Sequence, residues 1–100
     1  MIETKPFDAA EFIDGPEAEA ALLADAFESG DSAYIAHALG IIARARGMTQ
    51  IARDAGMSRM ALYKSLSAEG DPKLSTLLGV MKALGIHLTV DMSPREGAAA

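Results

Sequence analysis

The sequence contains no cysteine, and that absence removes disulfides, thiolate metal sites and a cysteine nucleophile together. Histidine is almost as scarce. His37 and His87 fall on different predicted elements, neither with an aspartate or glutamate at metal-ligand spacing, so no metal and no cofactor are expected. A glycine-rich phosphate loop and the strained serine turn of hydrolases are also missing, and enzymatic activity is therefore not expected. No apolar run is long enough to cross a bilayer, and the opening MIETKPFDAA is polar where a secretory leader is basic and then apolar. The expected setting is the cytoplasm, with no membrane partner.

What is present is a chain of 100 residues, half of them hydrophobic, which suits a single domain with a modest core. The net charge of -5 is unevenly spread. Residues 1–31 hold nine acids (Glu3, Asp8, Glu11, Asp14, Glu17, Glu19, Asp25, Glu28, Asp31) against Lys5 alone. Residues 44–73 reverse the balance, with Arg44, Arg46, Arg53, Arg59, Lys64 and Lys73 against Asp54, Glu69 and Asp71. The two ends can therefore face different partners, although acids on a small domain also simply keep it soluble.

Helix signals divide the chain. Asp8 and Glu11 have the spacing of a capping box, and a brief helical turn through Phe12 follows from it. Asp14 and Glu17 repeat the spacing, and Pro16 with Leu22, Leu23, Ala26 and Phe27 predicts a first helix over about 16–29, stopped by Gly30. Asp31 caps a second, whose buried face reads Ile35, Ala38, Leu39, Ile42 and Ala45 and which ends at Gly47. Arg44 and Arg46 in its last turn suit the helix dipole, with nucleic-acid contact as the other reading. Thr49 is expected to cap a third helix to Ala55, and Ser58 a fourth to about Leu66. A fifth carries Leu74, Leu77, Leu78, Met81 and Leu84 before Gly85.

The period then changes. Ile86, Leu88, Val90 and Met92 alternate with His87, Thr89 and Asp91, the two-residue period of a strand with one buried face. Such a strand needs a neighbour. Either a segment near IETKPF or the same strand of a second copy can supply it, and the second copy is favoured because it closes a two-fold homodimer. The fifth helix and Ile86, Leu88, Val90 and Met92 are the expected dimer interface. Residues 93–100 are expected to be a disordered tail.

The stretch MTQIARDAGMSRMALYKSL, residues 48–66, has the spacing of a helix-turn-helix. Ala52 is small where two helices approach, Gly56 permits the turn, and Ile51, Ala55, Met57 and Leu62 point inward. The exposed positions of the fourth helix then form a readout surface of Ser58, Arg59, Met60, Tyr63 and Lys64. Arg59 suits a bidentate contact to guanine and Met60 a thymine methyl. Lys64, Tyr63, Thr49 and Gln50 suit phosphate, while Tyr63 also reads as a half-buried core aromatic. The expected class is mainly α: a five-helix, lambda-repressor-like helix-turn-helix domain over residues 1–100. Its parts are an acidic segment 1–31, a DNA-binding core 32–85, a short C-terminal β-strand 86–92 paired across a dimer, and the tail.

The runs IARARGMTQIARDAG, LYKSLS and VMKALGI, within a likeness extending from about Thr4 to Leu88, resemble the addiction-module antidote proteins. These are antitoxins of type II toxin–antitoxin pairs, related to the HigA type. The resemblance implies a small bacterial protein encoded beside a RelE-like or HigB-like ribonuclease toxin, which it silences while repressing their shared promoter. Such toxins are basic, so the acidic segment, with Glu17, Glu19, Asp25 and Glu28, is the expected toxin-binding surface. The expected partners are operator DNA, that toxin and a second copy. The alternative is a dimeric repressor with no toxin partner.

Overall fold

A computed structural model describes residues 15–67 and 69–92. Five helices follow in order: α1 Gly15–Ser29, α2 Ser32–Arg46, α3 Met48–Asp54, α4 Arg59–Ser65 and α5 Leu74–Leu84. The expected turn at Asp8 to Phe12, the Asp14 cap and the tail 93–100 lie outside the described residues.

α2 is the axle of the fold. α1 packs on one side of it and α3 on another, while α4 and α5 both pack on α3. Its middle is consequently enclosed nearly all round, with Ala36 and Ala38–Ala43 buried, rather than along the single stripe that periodicity predicts. Ala45, expected on that stripe, faces solvent. The small residues of α2 allow the enclosure. At Gly40 a Cβ would lie 2.7 Å from the carbonyl oxygen of Leu66, so the end of α4 sits directly against the backbone of α2. The shared core joins Leu39 and Ile42 of α2 to Leu23 of α1, Ile51 of α3, Leu62 of α4 and Val80 of α5.

The caps explain most boundaries. Asp31 accepts a hydrogen bond from the Ala33 amide at 3.0 Å and so caps α2. Gly47 ends α2 and opens α3 in a single residue, at φ +114, a conformation that only glycine adopts without strain. α3 therefore begins at Met48 and has no side-chain cap; Thr49 lies inside its first turn, not at the cap where sequence places it.

α5 ends in a Schellman motif. Gly85 is left-handed and donates to the Lys82 carbonyl, and the Ile86 amide donates to the Met81 carbonyl at 2.8 Å. Ile86 is thereby folded back against the core. The buried face of α5 is Val80, Met81 and Leu84, and Leu74 and Leu78, expected inside, are exposed. Beyond Ile86 the expected strand is not formed: residues 86–92 carry no strand among the described residues. A ladder needs a second edge, and an alternating pattern alone supplies none.

One ion pair fastens α1. Arg46, at the end of α2, donates from Nε to Glu19 Oε2 at 3.1 Å and from Nη2 to Oε1, a bidentate contact. Its Nη1 donates to the carbonyl of Leu84 at 3.2 Å. One guanidinium thus ties α1, α2 and α5 together. The carboxylate holds the guanidinium pKa above its usual value. Glu19 is buried by this pairing, whereas Glu17, Asp25 and Glu28 stay exposed.

Candidate nucleic-acid interface

The turn between α3 and α4 is built from backbone hydrogen bonds that a small residue and a glycine permit. Gly56, at φ +73, donates to the Arg53 carbonyl at 3.1 Å, and the Met57 amide reaches back to Ala52 at 2.9 Å. Ser58 is extended, and its hydroxyl accepts from the Ala61 amide at 3.0 Å, capping α4 as its sequence position predicts. Ile51, Ala52 and Leu62 are buried between the helices; Ala55 and Met57 are half-buried.

With Leu62 fully enclosed, the rotation of α4 is settled by packing, and its other face turns outward. Ser58, Arg59, Met60, Tyr63 and Lys64 are all exposed, as are Thr49 and Gln50 at the start of α3. Met60 is 80% exposed, an unusual position for a long apolar side chain. Tyr63 is 42% exposed and is no core aromatic. Its ring lies beneath Arg59, whose guanidinium carbon is 5.3 Å from the ring centroid and whose Nη2 is 3.4 Å from the hydroxyl. Stacking of this kind restricts the long arginine side chain while leaving its other donors outward.

Two residues of the row have acidic company. Gln50 donates to Asp54 at 2.8 Å, so its amide is already engaged along α3. Lys64 shares a surface depression with Glu69 and Asp71, which reduces the positive field at that end of α4.

The structure places Arg44, for which the sequence holds nucleic-acid contact as the other reading, beside this set. Arg44, on the last turn of α2, borders the same open depression of about 530 Å³ as Thr49, Gln50, Arg59 and Tyr63. His37, two turns earlier on α2, meets Arg44 and Tyr63 in an adjoining cleft of about 230 Å³. The seven-residue interval from His37 to Arg44 places both on one side of α2, and that interval is the signal the sequence held for them. Arg44 and Arg59 thus make a cationic face where the end of α2 meets the start of α4. Among the described residues no group of three or more histidines and acids is placed to hold a metal, and no helix is long and apolar enough to cross a membrane.

Comparison with known proteins adds to this geometry. A family model described as probable addiction module antidote protein matches residues 3–92. An uncharacterized protein of Haemophilus influenzae is 45% identical over 91 residues, covering 91% of this chain and 94% of its own length. No solved structure matches the chain.

Proposed function

This chain belongs to the family of probable addiction module antidote proteins, and from that premise we propose an antitoxin with two activities. It binds and silences a basic RelE-like or HigB-like ribonuclease toxin, and it represses their shared operon through a helix-turn-helix made of α3 and α4. The observation that carries the DNA-binding half is the outward row Ser58, Arg59, Met60, Tyr63 and Lys64 on a helix whose rotation is held by buried Leu62. In the major groove Arg59 reads guanine through two parallel hydrogen bonds and Met60 meets a thymine methyl. Thr49, Gln50, Tyr63 and Lys64, with Arg44 beside them, grip phosphates and fix the register.

A homodimer presents two such helices to a palindromic operator. Leu74 and Leu78, exposed on α5, offer the apolar surface for that self-contact. On the opposite side of the charge balance, exposed Glu17, Asp25 and Glu28 complement a basic toxin. Glu19, already held by Arg46, serves that surface by fixing α1. The working compartment is the bacterial cytoplasm.

The test is co-expression with the product of the neighbouring gene, followed by binding of the purified material to its own promoter DNA. A stoichiometric complex is expected, together with growth arrest by the partner alone that this chain relieves. Replacing Arg59 and Lys64 with alanine should remove promoter binding and spare the complex. A homodimer that shifts promoter DNA and carries no partner makes the protein a plain repressor; a complex indifferent to promoter DNA removes the DNA-binding half.

A further inference from the structure

Sequence alone separates the acidic first helix from the alternating C-terminal segment. The fold brings them together. Ala24, Phe27 and Glu28 of α1 face Leu88 and Thr89 across a groove of about 600 Å³. Its base is apolar, formed where Leu23 enters the core and Phe27 packs against it. Leu88, which lines it, is 54% exposed, and Val90 and Met92 further along the same segment are 82% and 85% exposed. Three large apolar side chains on one short segment, in a chain this size, mark a surface that something covers.

The alternation suits pairing with a second copy, but the charge does not. α1 carries Glu17, Asp25 and Glu28 exposed and no lysine or arginine along its length. Among the described residues the groove itself is lined by Glu28 and Asp91 with no lysine or arginine, and facing it with its own two-fold image would set these acids against one another, which opposes association. A basic occupant turns the same charges into attraction. Self-contact has another apolar surface at the far end of α5, where Leu74 and Leu78 are exposed.

We propose that the groove between α1 and residues 86–92 is the docking site for the basic protein partner. Leu88, Ile86 and Phe27 provide the apolar contacts, and Glu28 and Asp91 pair with lysines and arginines around the partner's own apolar patch. This inference rests on the antitoxin reading above. Leu88, expected at a dimer interface, then serves the toxin contact beside Ile86, which lines the same groove while its amide closes α5.

The test uses the full chain and the purified product of the neighbouring gene, titrated by calorimetry. Leu88→Asp, and separately Ala24→Arg on the groove wall, should each weaken partner binding by roughly 30-fold or more. Homodimer mass, melting temperature and promoter affinity should be retained. Unchanged partner affinity in both variants overturns the assignment. Dissociation of the homodimer with partner binding intact makes a second copy the occupant, and a lower melting temperature with partner binding intact means the chain fills its own groove. No binding by the wild-type pair removes the antitoxin reading itself, a result distinct from any variant effect.

Discussion

The side of the molecule formed by α1 and the C-terminal segment and the side formed by α3 and α4 use charge in opposite ways. On the first, an acid is turned inward as a fastener: Glu19 is buried and holds Arg46, which reaches on to the Leu84 carbonyl. On the second, the fastening is apolar, through Leu62, Ile51 and Ala52, and the charges remain outside. A buried charge must be paired and is lost as a probe, whereas an exposed one can read a partner once an apolar neighbour has oriented it. Arg46 and Arg59 are the same residue type in these two roles.

The contrast can be broken most forcefully at Leu62. Leu62→Ala should cost about 3 kcal/mol by leaving a cavity in the shared core. For a chain of this size that lowers the melting temperature by roughly 10–20 °C. Differential scanning calorimetry measures it, and promoter binding should fall as α4 loosens. A loss as small as that of a surface substitution would mean that α4 is oriented by something other than its core residue.

A smaller effect is expected at Glu19. Glu19→Gln keeps the shape and removes the charge. The Arg46 side chain is 41% exposed, so water screens much of the interaction and the loss should be about 1 kcal/mol. Chemical denaturation of the variant checks it. Raising the salt concentration should weaken the wild type more than the variant, and promoter affinity of the folded protein should be unchanged, because the clamp does not touch α4. A variant that loses promoter binding in proportion would show the two sides to be coupled.

The smallest effect belongs to Tyr34, whose hydroxyl donates to Asp25 on the solvent side of α1. That hydrogen bond, with the carboxylate charge and slight burial, raises the phenol above its ordinary value of 10.0. The neutral phenol is favoured in the folded protein, so its stabilisation is present below pH 10 and is lost as pH rises through the higher folded pKa. Tyr34→Phe should remove this alkaline step, so that the variant is slightly less stable than the wild type below pH 10 and the difference closes as pH rises through the folded pKa, as thermal melts across alkaline pH would show.

Much of the frame was legible because its punctuation is chemical and local. Asp31, Ser58 and Gly85 act at their own positions, so the starts of α2 and α4 and the end of α5 follow from them. The outward row on α4 follows from the same locality. What sequence could not show is relative rotation. The α5 stripe was misplaced because Leu74, Leu77, Leu78, Met81 and Leu84 and the observed Val80, Met81 and Leu84 both satisfy a helical period, and only tertiary packing chooses between them. Glu19 and Arg46 stand 27 positions apart, and nothing local marks either as a fastener. Thr49 looked like a cap because a glycine with φ +114 was not expected to open a helix alone. For Arg44 the sequence leaves the dipole and nucleic-acid readings both open, and its place beside Arg59 depends on α2 ending next to α4.

Gly47 has a mechanical meaning as well. Because one residue both closes α2 and opens α3, the joint has no slack in which a change of length could be absorbed. Adding or deleting a residue there would change the direction in which α3 leaves α2, carrying Arg59 away from Arg44 while every side chain kept its identity. The cationic face is therefore specified by the length of the chain at that joint as much as by its arginines. Single-residue insertions should be tolerated poorly at Gly47.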